Sequence, residues 1–461
     1  MLSLLNSLEN SSLTAGGINP EFFDPKEVWY PVHYVEDLDK TKPTPFTLLD
    51  INLVIWWDEK LNTWQVFEDK CPHRLAPLSQ GRINEQGCLE CPYHGWAFSG
   101  TGQCQIIPQQ LPGSQAETSV RASVRAFPII VRQGLLFVYG GNPENAVKTA
   151  VPVVDILEKE PEGWICLNTF RDLPYDAFTL MENVLDSSHL PYTHHLSVGN
   201  RKNAAPVELE VIESGKWGFK GVWEEGPRKG TLGRQETTFI APGLMWHDLT
   251  SKQFGRTLTV VYATPIRKGE CRIFARFPFK FAAKLPGIFI KLTPRWYSHL
   301  GQNGVLEDDQ IFLHYQERYL EELGGSANFN KAFYLPTKAD LFVSQLRLWV
   351  NQYQAEPFPN VSLSLPLSTD SLLERYHSHT KKCASCRTAL ANLKRVKLGL
   401  IILATLIFSL LPLLILILGQ EATIWVSLLT LIILIMIGFW WRLGKLERQF
   451  YQGREIPPRN L

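Results

Sequence analysis

Residues 71–96 read CPHRLAPLSQGRINEQGCLECPYHGW, and their spacing organises the reading of the whole chain. Cys71-x-His73 is followed by a gap of 17 residues and then by Cys91-x-x-His94. Two short loops would each present one thiolate and one imidazole. Sulfur donors suit iron–sulfur clusters and zinc, and imidazole suits zinc and iron. Zinc fingers pair Cys with Cys and His with His along the chain, whereas here each loop mixes the two. Cys88 is an alternative donor, but using it leaves His73 and His94 unexplained.

Two Cys on one iron and two His on the other make a Rieske [2Fe–2S] cluster, in which neutral imidazoles raise the potential. A structural zinc site is the competing reading. Around the motif, EVWYPVHYV, FTLLDINLVIWWD and RAFPIIVRQGLLFVYGG alternate like strands, so the first unit is expected to be all-β and to end near Gly141. The stretches CPHRLAPLSQGRI and CPYHGWAFSGTGQC resemble the Rieske domain of the aromatic-ring oxygenases, over about residues 28–140.

Downstream, TFRDLP reads as a strand and AFTLMENVLDSSHLPYTHH as helical. Alternating segments then predict an antiparallel sheet, and helical periodicity returns over 305–320 and 338–353. The fold class is α+β, a sheet with helices folded over it. Oxygen activation at mononuclear iron needs two His and one carboxylate on one face, with open positions opposite. His189 and His194 are five apart, so a chain break at Pro191 is expected to bring them together.

This stretch resembles the N-x-x-D-x-x-H-x-x-x-x-H motif of the Rieske non-haem iron oxygenases, carried by Asn183, Asp186, His189 and His194. The resemblance implies His189 and His194 as ligands of a mononuclear Fe(II). It implies Asn183 and Asp186 as catalytic-site residues, with Asp186 bridging to a neighbouring subunit's cluster, and hence a homotrimer. It also implies a helix-grip (START-like) catalytic domain. The carboxylate ligand is expected in LEDDQIFLHYQ, where Asp309, seven before Gln316, fits the family position better than Asp308. Glu307 and Asp308 read as a solvated acidic helix start.

Leu398–Leu418 and Ala422–Trp441 are uncharged apolar runs of 21 and 20 residues, each long enough to span a bilayer. Only Gly419, Gln420 and Glu421 separate them. Basic residues flank the pair on both sides and are missing from the loop, which places the main body on the cytoplasmic side. The expected division is a flexible N-terminus over 1–25, a Rieske domain over 26–141 and a catalytic domain over 142–365. A linker over 366–397 carries Cys383-Ala-Ser-Cys386, two transmembrane helices lie within 398–441, and a cytoplasmic tail covers 442–461. Residues 1–20 read as neither a secretory signal nor a transit peptide.

The hairpin, PRWYSHLGQNGVLEDDQ, the IIPQ after the cluster loops and the CASC motif together resemble the pheophorbide a oxygenase group. That group includes a chloroplast import-associated Rieske protein and the chlorophyllide a oxygenases. A cyanobacterial member would fit, in a thylakoid or plasma membrane. The resemblance implies a ferredoxin-dependent monooxygenase that uses O2 on a chlorophyll-derived tetrapyrrole. Trp217, Trp223, Phe239, Trp246 and Trp296 are candidates to line a wide pocket. For Cys383 and Cys386 the resemblance implies a dithiol switch addressed by thioredoxin; a zinc site helped by His377 and His379, or ordinary thiols, are the other readings. The alternatives are an oxygenase of another hydrophobe, such as a sterol or carotenoid, and a non-catalytic electron-transfer or redox-sensing membrane protein.

Composition bounds these readings. The 461 residues are 45% hydrophobic and 20% charged with a net charge of +1, which excludes a disordered chain and gives no sign of a nucleic-acid binder. Eight Cys in this length do not make a disulfide scaffold. The charge is uneven: residues 381–461 hold 11 basic and 3 acidic residues, the rest 35 and 42. Docking of an acidic ferredoxin is therefore expected at a local patch of Arg74, Arg82, Arg121, Arg125 and Arg132.

Overall fold

The computed structural model describes residues 22–251 and 255–461. The expectations for residues 1–20 lie outside the described residues.

The first unit is built from three small antiparallel sheets. β1 (Trp29–Tyr34) and β9 (Ile129–Arg132) flank β10 (Leu135–Tyr139). A second sheet joins β2 (Thr44–Leu48), β3 (Ile51–Asp58) and β4 (Thr63–Glu68). Its first turn is the pair Leu49-Asp50, at φ 51° and 63°, the left-handed geometry that suits a two-residue hairpin to strand twist. A third sheet, β5 (Arg82–Ile83), β6 (Leu89–Glu90), β7 (Ala97–Phe98) and β8 (Cys104–Ile106), carries the two cluster loops.

The second unit is one seven-stranded antiparallel sheet: β11 (Ile165–Leu173), β12 (Leu209–Gly215), β13 (Gly218–Trp223), β14 (Gln235–Ile240), β15 (Leu244–Ser251), β16 (Gly255–Arg267) and β17 (Glu270–Lys280), in the order 11-17-16-15-14-13-12. Strand alternation sends β17 residues to two different places. Cys271, Ile273 and Ala275 face the core shared with the helices. Arg272 and Phe274 face the first unit, where Arg272 donates to the Val32 carbonyl at 2.9 Å and Phe274 meets the Tyr34 ring edge-on at 5.4 Å. Both faces are covered, so the first unit and the helices hold the sheet between them.

The helices that position the site and the hairpin are α1 (Ala177–Leu185), α2 (Arg295–Glu322), α3 (Leu341–Gln352), α4 (Ala384–Leu418) and α5 (Ala422–Arg448); a further nine-residue helix, Lys284–Leu292, and shorter turns lie between them. α2 begins at Arg295, well before the predicted periodicity. Three of its early buried positions, His299, Asn303 and Glu307, are polar and Leu300 stands alone among them as a large apolar one, so the buried face carries no continuous apolar stripe to read. α4 likewise begins at Ala384, inside the stretch read as a linker. α4 and α5 form a hairpin through Gly419, at φ 55°, and Lys397 of one helix pairs with Glu447 of the other at 2.6 Å. The stretch is long and apolar enough to cross a membrane, and its most apolar window is not buried within the protein. Each exposed Leu or Ile there forgoes about 1.5–3 kcal/mol of burial in water.

Candidate functional site

The two cluster loops are the same turn used twice. Cys71 N–H donates to the Ala76 carbonyl at 2.9 Å, and Leu75 N–H donates back to the Cys71 carbonyl at 2.9 Å. Cys91 N–H donates to the Trp96 carbonyl at 2.8 Å, and Gly95 N–H donates to the Cys91 carbonyl at 3.1 Å. Leu75 and Gly95 both take positive φ, 60° and 72°. At Gly95 a Cβ would also press on the Pro108 ring at 3.0 Å. The Cys71 and Cys91 thiols are buried, while His73 and His94 reach the surface with their rings 4.5 Å apart. Trp96 stacks flat on His73 at 4.6 Å. Burial pushes the Cys71 thiol up to about 12, so a thiolate there calls for a cationic partner. Two inner sulfurs and two outer imidazoles fit a [2Fe–2S] cluster with an exposed histidine edge. Cys88 and Cys104 are buried in separate local contacts, with Gln86 and Ile106.

His189, His194 and Asp309 form the second cluster, with one ligand atom of each within 4.8 Å of the others. The helix break that allows this falls earlier than expected. α1 stops at Leu185, Asp186 is extended, and a new turn starts at Leu190 with Pro191 in its first positions, where a missing N–H costs nothing. His189 Nδ1 lies 2.5 Å from the Asp186 carbonyl, which turns Nε2 toward Asp309 Oδ1, 3.9 Å away. His194 Nε2 lies 3.2 Å from Asp309 Oδ2, and its Nδ1 lies 3.3 Å from Asp308 Oδ2. Asn183 donates to Asp309 Oδ1 at 3.4 Å.

The neighbouring acids therefore divide their contacts. Asp309 faces the inward nitrogens of both histidines, whereas Asp308 backs one histidine from outside. Burial alone would lower His194, but its contacts with Asp308 and Asp309 outweigh that and raise it to about 9. An imidazole held between two carboxylates is a donor set suited to a cation. The three donors line a cavity of about 600 Å³. This leaves open positions, as a two-His, one-carboxylate iron site requires.

Several expectations need correction. Glu307 and Asp308 are buried rather than solvated. Glu307 accepts from Arg171 at 2.6 Å and from Arg375 at 2.6 Å; burial opposes its ionisation, but the two guanidiniums hold its carboxyl below the usual range. Of the five aromatic candidates only Trp223 lines the cavity. Phe239 lies in the sheet–helix core, Trp246 and Trp296 pack against a second core cluster, and Trp217 is partly exposed. The apolar walls are mainly aliphatic, including Val207, Leu249, Val261 and Ile273, with Tyr192, Phe277, Arg228 and Lys229 also in the lining. Arg82 is committed to Glu85 and Glu90 at 2.8 Å each. Cys383 and Cys386 are buried beside His299 and His379, not beside His377, which is exposed and pairs with Glu374.

His247 escaped the sequence reading. It is buried on β15 in the cavity wall, 3.0 Å from the Val184 carbonyl of α1 and 2.8 Å from Thr237 Oγ1. Burial lowers it to about 4, so the ring is neutral. The alternating pattern of QETTFIAPGLMWHDL marked the strand but gave no sign of this contact.

A cluster-binding β unit ahead of a helix-covered antiparallel sheet with an iron-type cavity is the architecture of the Rieske non-haem iron oxygenases, and the cofactors of that class are a Rieske [2Fe–2S] cluster and a mononuclear iron. Residues 28–128 match the Rieske [2Fe-2S] domain and residues 239–327 match Pheophorbide a oxygenase. The chloroplastic pheophorbide a oxygenase of Oryza sativa subsp. japonica is 39% identical over 81% of this chain and 75% of its own length. The chloroplastic flavonoid 8-hydroxylase 2 of Ocimum basilicum is 35% identical over 82% and 76%. A crystal structure of dicamba monooxygenase bound to dicamba shares the fold, with a TM-score of 0.57 and 22% identity over 72% of this chain and 98% of that one. The chain belongs to the pheophorbide a oxygenase family of Rieske oxygenases.

Proposed function

We propose that this protein is a membrane-anchored oxygenase that uses O2 and electrons from reduced ferredoxin to oxygenate a chlorophyll-derived tetrapyrrole. The observation that carries the proposal is the cavity of about 600 Å³, lined by His189, His194 and Asp309 and by mainly apolar side chains. Its size suits a large, largely apolar ligand. In this reading His189, His194 and Asp309 hold the iron, and Cys71, His73, Cys91 and His94 hold the cluster. Together these centres, when bound, supply single electrons and O2 activation. Asp308 and the Asp186 carbonyl fix the two imidazoles, Asn183 steadies Asp309, and the aliphatic walls exclude water from the reacting face. Arg228 and Lys229 suit the carboxylate that a macrocycle keeps after loss of an ester chain.

The Asp186 carboxylate is partly exposed and accepts from Ser188 N–H at 2.7 Å. In this reading it bridges to a neighbouring protomer's cluster histidine in a homotrimer. On the same reading the apolar hairpin anchors the body at a membrane, where such a substrate partitions.

The test is anaerobic titration of the iron-loaded protein with pheophorbide a and chlorophyllide a, followed by absorbance. Saturable binding in the micromolar range or tighter is expected for at least one of them. Binding of neither overturns the substrate class. The basil relative favours a second reading, a flavonoid-like aromatic, and a flavone is the comparison ligand in the same titration.

A further inference from the structure

Four side chains that the oxygenase chemistry does not use converge at the base of the hairpin: His299 of α2, His379, and Cys383 and Cys386 at the start of α4. One ligand atom of each lies within 4.8 Å of the others. His299 Nδ1 is 3.0 Å from His379 Nε2 and 3.5 Å from each of the sulfurs Cys383 Sγ and Cys386 Sγ. His379 Nε2 is 3.3 Å from Cys386 Sγ. None of the four is more than 1% exposed.

The outer ring nitrogens determine what the inner ones offer. His299 Nε2 lies 2.8 Å from the Asn168 carbonyl, and His379 Nδ1 lies 2.5 Å from the Phe170 carbonyl. A carbonyl only accepts, so each outer nitrogen carries the hydrogen, and in a neutral ring the inner nitrogen is a bare lone pair. Two lone pairs facing each other at 3.0 Å repel. A cation at their centre turns that repulsion into coordination. Carbonyl-backed imidazoles are the usual outer support of metal-bound histidine.

The spacing fits one class of cation. Zn–N bonds of about 2.05 Å and Zn–S bonds of about 2.3 Å in a tetrahedron put ligand atoms about 3.3 Å apart for N and N, and about 3.6 Å for N and S. The distances here are 3.0 Å and 3.3–3.5 Å. Two thiolates neutralise a dication, so the assembled site buries no net charge, which a pocket this dry requires. Cys383 immediately precedes α4 and Cys386 lies in its first turn, where the helix dipole favours thiolate.

We propose that His299, His379, Cys383 and Cys386 form a closed structural site for one zinc-class divalent cation, separate from both iron centres. Binding releases the two thiol protons and forms two metal–sulfur and two metal–nitrogen bonds, with no change of redox state. Four protein ligands leave no position for substrate, which marks a structural site. His299 lies ten residues before Asp309 on α2, about 15 Å along the helix. The cation would therefore rivet the membrane hairpin to β11 and to the helix that carries the iron-site carboxylate. An ion pair and a hydrogen bond reinforce the same junction: Asp37 of the first unit accepts from Arg295 at 2.5 Å and from Ala384 N–H at 2.8 Å. A thiol switch alone would need neither histidine.

The test is elemental analysis of the full-length protein, purified in detergent and thiol reductant without added zinc. About one zinc per chain is expected beside the iron. Cobalt(II) exchanged into the wild-type protein should show thiolate-to-metal charge transfer and tetrahedral ligand-field bands. Cys386→Ser and His299→Gln should lose the zinc, while His377→Ala keeps it and the reduced-cluster EPR signal persists in all three. A wild-type chain with reduced thiols that contains no zinc and takes up neither zinc nor cobalt overturns the proposal, without reference to any variant. So does a Cys383–Cys386 disulfide in metal-free protein under these conditions, additional iron in place of zinc, or zinc retained in Cys386→Ser.

Discussion

Asp308 and Asp309 are adjacent in the chain yet face different nitrogens of one imidazole, and that difference separates the effects of mutating them. Asp309→Ala removes the one carboxylate that meets both inward nitrogens. Metal content should fall from about three irons per chain to about two, with turnover lost and the reduced-cluster EPR signal unchanged. Asp308→Asn leaves the three donors in place and weakens only the outer support. It should cost about 10–100-fold in iron affinity or activity, measured by iron titration and initial rates. Equal losses in both variants would contradict the division of roles. The sequence spoke clearly about donors close together in the chain: Cys71 with His73, Cys91 with His94, and His189 with His194. It was silent on His299 and His247. Each reaches its partners only through tertiary packing, and a single histidine in a helix or strand carries no spacing to read.

At the level of elements, β15 is tied to the end of α1 through His247 and the Val184 carbonyl. The folded ring titrates at about 4, below the ordinary value of ~6.5. The neutral form therefore stabilises the fold above about pH 6.5, and the contribution is lost as pH falls toward 4, by on the order of 3 kcal/mol. Thermal melts of wild type and His247→Gln should diverge in slope over that range, the wild type losing stability faster. Parallel profiles would show that the ring is not held neutral. The loops around the cluster allow a second comparison. Arg74, within the first cluster loop, and Arg121 and Arg125 are exposed, whereas Arg82 is already paired with two glutamates. Charge reversal at the first three should slow cluster reduction by ferredoxin about tenfold at low salt, and Arg82→Ala should barely alter it. Stopped-flow reduction at two ionic strengths reads both effects.

At the scale of the molecule, the near-zero net charge is the sum of an acidic body and a basic C-terminal segment. The body was legible as an all-β unit followed by a sheet with helices because strand alternation survives where one face meets each neighbour. The extent of α2 and α4 was not legible, because the early turns of α2 bury polar residues and those of α4 bury only Cys386 and Leu390. In α2, Asn303 and Glu307 contact Arg171, and Glu307 also contacts Arg375. A buried face made of ion pairs has no hydrophobic period. The central claim is that this body oxygenates a tetrapyrrole at the iron held by His189, His194 and Asp309. The most direct measurement is a single turnover of the fully reduced, iron-loaded protein with pheophorbide a and isotopically labelled O2, read by mass spectrometry beside the same reaction of His189→Ala. The account predicts labelled product from the wild type and none from the variant, with the cluster intact in both. Labelled product from His189→Ala, or none from a wild type that binds the substrate, would contradict it.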